Sequence, residues 1–264
     1  MTAQTTTHPV PTVDVVDLEA KVKEMYRLVA EAPHGRYHFE LGRPLAERLG
    51  YDAEVLDGIP GGAVASFAGV GCVFGLARLR PGERVVDLGS GSGMDAWYAA
   101  AQVGPEGHVL GVDFTPQQVE RARALVDERG VENIEFREGR IESLPVDDAT
   151  VDCVISNGVV NLSPVKQRVF AETARVLRPG GRLAIADIVS DVPLKESIVC
   201  DADLWASCIG GAAQLDDYQA IIESAGLTVV AMGRNPYQFL SSRARSASAT
   251  YGVRSLSLLA VKPE

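Results

Sequence analysis

The chain has 264 residues, 46% of them hydrophobic and 23% charged, which is enough to bury a sizeable core and excludes disorder as the main state. With 25 Lys and Arg against 35 Asp and Glu, the formal net charge is −10, so there is no basic face for a nucleic-acid backbone or an anionic membrane. The four cysteines show no CxxC spacing and read as free thiols rather than disulfides or a zinc site, and no apolar run approaches the roughly 20 residues that span a bilayer.

Residues 1–14 read as a flexible tail. Its opening, MTAQTTTHPVPT, lacks a basic start followed by an apolar segment, so it is not a signal peptide and a cytoplasmic protein is expected. Val15, Leu18, Val22, Met25, Tyr26 and Val29 are spaced as one apolar face of a helix. Residues 32–75 are rich in Gly and Pro around a short helical stretch, RPLAERLG, that Gly50 would terminate. Residues 15–77 are therefore expected to form a helical cap or lid, and 78–264 the main domain.

From Glu83 onward, short β-branched runs alternate with amphipathic helices, the pattern of a parallel sheet built from strand–helix–strand units. The predicted strands are 84–89, 108–113, 133–139, 151–157 and 181–189, followed by a terminal pair at 227–233 and 252–262. Thr115 and Pro116 open a helix, with Gln118 completing a capping box and Gly130 closing it. Ser163 and Pro164 repeat the arrangement before a helix that presents Val165, Val169, Phe170, Thr173, Val176 and Leu177 to the sheet and ends at Pro179, Gly180 and Gly181. A further amphipathic helix covers 215–226, and 241–248 reads as a long loop or a turn of helix.

The most informative stretch is VVDLGSGSGMDA, residues 85–96, in which a strand delivers Asp87, then Gly89, Gly91 and Gly93, then a helix. Glycines suit a sharp turn that lays bare backbone against a ligand. The spacing is G-x-G-x-G rather than the dinucleotide G-x-G-x-x-G, and a second acid, Asp113, ends the next strand, where it can accept hydrogen bonds from both hydroxyls of a ribose.

On these motifs the chain resembles the class I S-adenosylmethionine-dependent methyltransferases over roughly residues 78–264. The resemblance implies a Rossmann-like α/β fold: a seven-stranded, mostly parallel sheet flanked by helices, here with an N-terminal helical cap. It places Asp87, Gly89, Gly91 and Gly93 around the methionine part of the cofactor, and Asp113 with Phe114 at the ribose. Ile141 and Glu142 of EGRIESLP fall beside the adenine, and Asn157 and Gly158 of SNGVVNL beside the reactive methyl. The segments ISNGVVNLSPVKQRVFAETARVLRPGGRLAIADIV, LWASCIGGA, LGYDAEVLDGIP and GVGC further resemble the arsenite methyltransferase branch.

Enzymes of that branch present three cysteine thiolates to trivalent arsenic, a soft, thiophilic centre. Here Cys208 matches. The middle position is Gly158, and Cys72 lies two residues beyond the position reached without a gap, which is Val70. Cys200 is an additional thiol and Cys153 reads as a core residue. Such enzymes are also expected to carry an extra C-terminal domain, whereas this sequence closes on the last strand of the core. The expected activity is thus methyl transfer to a small-molecule acceptor, at oxygen, nitrogen, carbon or sulfur. The alternatives are arsenite methylation through Cys72, Cys200 and Cys208, or S-adenosylmethionine binding without transfer.

Transfer from a sulfonium needs alignment and exclusion of water, and a base only if the acceptor holds a proton of high pKa. The catalytic candidates are His38, Asn157 and Cys208, with His38 read as the base or as a structural histidine hydrogen-bonded in the lid. Tyr26 and Tyr37 could close over the cofactor or pack as core aromatics, and Asp95 reads as a helix-dipole partner or a cofactor-side carboxylate. Trp205 would wall the acceptor pocket or anchor a helix.

Overall fold

A computed structural model describes residues 13–206 and 208–264. Most of the predicted tail, with His8, lies outside the described residues. Its last two positions are built into the fold: Val13 is buried, and the Asp14 carboxylate accepts the backbone N–H of Val16 at 2.9 Å and of Asp17 at 3.1 Å, capping the first helix.

The cap consists of α1 (Val15–Glu31), α2 (Arg43–Leu49), α3 (Ala53–Gly58), α4 (Gly61–Ala65) and α5 (Phe74–Ala77). Gly50 closes α2 at φ +101°, a left-handed conformation that a β-carbon would strain. The first half of the main domain follows as β1 (Arg84–Leu88), α6 (Met94–Val103), β2 (His108–Asp113), α7 (Pro116–Arg129), β3 (Ile134–Glu138) and β4 (Val151–Asn157). After a 3-10 turn at Val160–Leu162 come α8 (Lys166–Val176), β5 (Leu177–Ser190), α9 (Glu196–Val199), α10 (Ala202–Ala206) and β6 (Ala213–Gln214). The chain continues as α11 (Leu215–Ser224), β7 (Thr228–Arg234), α12 (Ser242–Tyr251) and β8 (Arg254–Val261).

Seven strands form one sheet in the order β3-β2-β1-β4-β5-β8-β7, and the two-residue β6 pairs beside β5 as an eighth. Neighbours from β3 through β5 run parallel, and β8 is antiparallel to both β5 and β7. The strand alternation sorts the core into two layers. Val85 and Ile155 pack under the cap with Tyr51 and Phe67, while Val86, Val154 and Leu183 pack on the other face with Phe170 and Tyr218. Among the described residues, no helix is long and apolar enough to cross a membrane.

Three local readings need correction. Thr115 precedes α7 in extended conformation, but its side chain makes no cap hydrogen bond, and Gln118 instead accepts from Ser92 Oγ at 2.6 Å and donates to the Tyr26 carbonyl at 2.8 Å. There is thus no capping box, because a tertiary partner takes the glutamine. Helix α8 starts at Lys166 rather than after Pro164, leaving Val165 exposed. It also ends at Val176, two residues early: Arg178, preceding a proline, is biased to extended backbone, and Leu177 already pairs with Val151. Of the two readings of 241–248, the helical one holds: the segment falls in α12, capped by Ser241 Oγ accepting from the Ala244 N–H at 3.1 Å.

Candidate active site

Strand order reverses between β1 and β4, and a doubly wound sheet leaves a crevice beyond the carboxyl ends of its strands at such a point. A cavity of about 130 Å³ lies there. Its floor is the loop of Gly89, Gly91 and Gly93 with Asp87 and Asp95. Asp113 and Phe114 close one side, Ile141 and Glu142 another, and Leu18, Val22 and Tyr26 of α1 cover it.

The glycines are required on two counts. Gly89 and Gly93 have φ of +65° and +96°, and a β-carbon would lie 2.4 Å from Val159 at the first and 2.4 Å from Phe136 at the second. Asp87, near the end of β1, is 2% exposed, and among the described residues its Oδ2 has no hydrogen-bond partner, nor does the neighbouring Ser90 Oγ. Burial, reinforced by Asp95 and Asp113, pushes the Asp87 carboxyl well above the ordinary range. Buried polar groups without partners cost free energy unless a ligand or water satisfies them, so this floor is shaped for a polar, positively charged occupant.

Asp113 shapes the same loop. Its Oδ2 accepts the Gly91 N–H at 2.9 Å and its Oδ1 the Thr115 N–H at 2.8 Å. Burial raises its pKa against the pull of those N–H groups, and each oxygen keeps a lone pair for a ligand hydroxyl. On the far side, Glu142 Oε1 accepts from Ser163 Oγ at 2.6 Å beside buried Ile141. The Lys23 ammonium sits 5.2 Å over the Phe114 ring, and Arg140 pairs with Glu19, tying α1 across the cavity.

Asn157 is a hub. Its Oδ1 accepts the N–H groups of Val70 at 2.7 Å and Gly71 at 3.2 Å. Its Nδ2 lies 2.8 Å from the Gly71 carbonyl, 3.0 Å from the Tyr51 hydroxyl and 3.0 Å from Asp95 Oδ2. The Tyr51 hydroxyl in turn donates to Asp95 Oδ1 at 2.5 Å. The cap loop, the end of β4 and the first turn of α6 are thereby locked to one another.

Ten predicted site residues meet at the cavity: Asp87, Gly89, Gly91, Gly93, Asp95, Asp113, Phe114, Ile141, Glu142 and Asn157. His38, Gly158 and Cys208 do not line it. His38 is half-buried, hydrogen-bonded to the Ala206 carbonyl, with Nε2 buried and unpartnered and its pKa lowered by burial. Gly158 lies behind the wall at φ +75°, its N–H donating to the Ala186 carbonyl at 2.8 Å. Cys208 is buried at φ +60°, its thiol beside Asn161 and the hydroxyl of Tyr26, and burial pushes it up to about 11. Cys72 is also pushed up to about 11 by burial, near Asp95, whereas Cys200 is exposed. Among the described residues, no three His, Cys, Asp or Glu side chains gather as a metal-holding group, so Cys72, Cys200 and Cys208 are not brought together.

Tyr37 turns away from the cavity, its hydroxyl donating to the Leu28 carbonyl at 2.7 Å and the Ala32 carbonyl at 2.8 Å at the end of α1. Trp205 packs against Leu18 and Val22, anchoring α10 to α1. Ser92, Thr115, Gln118, Arg140 and Ser163 line the cavity without having been read as site residues, and Tyr51 stands behind it, held to Asp95. Tyr51 stood inside LGYDAEVLDGIP, but nothing local announces a partner 44 positions away.

Residues 79–226 match the family described as a methyltransferase domain. The chain is 49% identical over 185 residues to an arsenite methyltransferase of Halobacterium salinarum, covering 70% of this chain and 47% of that protein. It is 35% identical over 161 residues to the 27-O-demethylrifamycin SV methyltransferase of Amycolatopsis mediterranei, covering 58% of this chain and 57% of that one. Among solved structures, the arsenic(III) S-adenosylmethionine methyltransferase of Chlamydomonas reinhardtii is similar, with a TM-score of 0.62 at 30% identity, covering 85% of this chain and 75% of that one. The chain spans about half the length of the curated arsenite enzymes it matches.

Proposed function

The chain belongs to the class I S-adenosylmethionine-dependent methyltransferases, in their arsenite-methyltransferase-like branch, and from that premise we propose that it transfers a methyl group to a small-molecule acceptor held between the cap and the ends of β1 and β4. The observation that carries the proposal is the cavity floor: glycine backbone with no room for β-carbons, and a buried Asp87 oxygen without a partner. When bound there, S-adenosylmethionine supplies an electrophilic methyl on a sulfonium. Asp87 and Asp95 would face its ammonium end, Asp113 would accept from its ribose hydroxyls, and Ile141 with Glu142 would flank its base.

The protein's remaining task is alignment and exclusion of water. Leu18, Val22 and Tyr26 roof the cavity, while Asn157 fixes the loop against which an acceptor would rest. Burial holds the Tyr26 hydroxyl well above its ordinary range and the Cys72 and Cys208 thiols at about 11, so all three stay protonated at neutral pH. None of the three is therefore a general base at neutral pH, and the acceptor supplies its own nucleophilic electron pair. A small acceptor in a cytoplasmic setting, rather than a nucleic acid, agrees with the net charge of −10.

Calorimetry tests the site. Asp113→Ala removes the acceptor of both ribose hydroxyls and should weaken S-adenosylmethionine binding roughly tenfold to a hundredfold; an unchanged affinity means the ribose is bound elsewhere. A second reading, arsenite methylation, is favoured by the arsenite enzymes among the relatives and by Cys208 lying against Tyr26. Against it stands Gly158 in place of the middle thiol. In that reading Cys208→Ser abolishes arsenite turnover, and turnover that survives the substitution rules the thiol site out.

A further inference from the structure

Two buried carboxyl groups share the floor of the cavity and differ in how they are held. Asp87 has an oxygen with no partner, whereas Asp95 is gripped at both oxygens, Oδ1 by the Tyr51 hydroxyl at 2.5 Å and Oδ2 by the Asn157 amide at 3.0 Å. The titratable groups acting on the pair come from every element packed around it: Tyr51 and Cys72 from the cap, Tyr98 from α6 and Asp113 from β2. All are neutral or anionic. Two carboxylates out of water, close enough to feel each other's charge and with no counter-cation among the described residues, do not both stay ionised.

We infer that in the unliganded protein the Asp87–Asp95 pair holds a proton, and that it releases this proton to solvent when an ammonium group seats on the pair, with Tyr51 as the positioning residue that keeps Asp95 aimed at the cation. The inference rests on the cofactor reading above, the cation being the α-ammonium of S-adenosylmethionine. The balance is simple: one O–H bond of a carboxylic acid breaks, the proton leaves to buffer, and the incoming ammonium keeps its own protons and donates to the carboxylates. Supporting this, burial pushes Asp95 up to about 6 even though Tyr51 and Asn157 pull it down, and Asp87 lies well above the ordinary range. Tyr51 is suited to the task because its ring is wedged edge-on against Phe67, Phe74 and Tyr98, at centroid distances of 5.2, 5.9 and 5.2 Å, and cannot swing away from the carboxylate.

Titration calorimetry in buffers of different ionisation enthalpy counts the proton directly. S-adenosylmethionine should bind with net release that is largest at acid pH and shrinks as the pair ionises, so its affinity rises with pH. 5′-Methylthioadenosine, which has the same nucleoside but no ammonium, should bind with none. Tyr51→Phe withdraws a donor from the charged form of Asp95 and should move the midpoint of the affinity–pH curve upward by about one pH unit; a tyrosine that only packs would leave that midpoint in place. Binding of S-adenosylmethionine without proton release, anywhere from about pH 5 to about pH 8, overturns the inference and leaves the cofactor assignment standing. Failure of both ligands to bind overturns the cofactor assignment itself.

Discussion

Single buried residues set the chemistry of the acceptor-side wall, and Lys166 is the least expected of them. Its ammonium donates to the carbonyls of Asn161 at 3.1 Å and Ser163 at 2.9 Å and lies 4.9 Å from the centroid of the Trp205 ring. These contacts pin the 3-10 turn after β4 to the segment that carries Cys208, where Gly211 is so close to the Asn161 carbonyl that a β-carbon would overlap it. Desolvation lowers the Lys166 pKa from 10.5 to about 8. The folded state therefore releases this proton about two and a half units before the unfolded state does, and between those two values the unfolded chain binds more protons. The burial penalty present at neutral pH is thus relieved as pH rises from about 8 toward 10.5, a gain on the order of 3 kcal/mol. Lys166→Met should abolish this alkaline gain, as read from urea midpoints across that range; a variant whose stability still climbs as steeply would assign the effect to another group.

At the scale of elements, Asn157 joins three of them: β4, which carries it, the cap loop at Val70 and Gly71, and α6 through Asp95. Asn157→Ala leaves two backbone N–H groups and a carboxylate oxygen short of partners, which should cost about 2–4 kcal/mol in urea unfolding; a loss well under 1 kcal/mol would mean the loop is held by packing alone. The sequence revealed the strand beneath this hub but not the hub. Strands β1, β2 and β4 are written as short runs rich in Val, Ile and Leu, buried almost throughout as in a parallel sheet, and their ends fall within a residue of expectation. The glycine loop was legible only in combination, since a glycine triplet alone is a weak signal and it is Asp87 before it and Asp113 at the end of the next strand that mark a cofactor loop. Tyr51 and Gln118 were not legible, since each is defined by a side chain far away in sequence, and no periodicity encodes such a partner. The β5 start was missed for a related reason: Leu177 is recruited by pairing with Val151, which outweighs the helical pattern it continues.

The whole molecule couples the cap to the sheet through one apolar cluster. Leu45, Tyr51, Leu56 and Phe67 of the cap share it with Val85, Ile155 and Ala184 of the strands, so α2 to α5 have no separate core on which to unfold alone, whereas α1 packs with α10 through Leu18, Val22 and Trp205. The cavity lies between the two, roofed by Leu18, Val22 and Tyr26 of α1 and floored by the ends of β1 and β4. A ligand bound there touches both parts and should raise the stability of the entire fold rather than that of the lid. At a concentration a hundred times its dissociation constant, a ligand that binds only the folded state adds about 2.7 kcal/mol. In a domain of this size that corresponds to roughly 5–10 °C in Tm. Differential scanning calorimetry with S-adenosylhomocysteine should therefore show a single transition displaced by that amount. A low-temperature transition that ligand abolishes while the main peak stays put would show that α1 and the cap form an independent unit, and that the shared cluster does not bind cap and sheet into one cooperative whole.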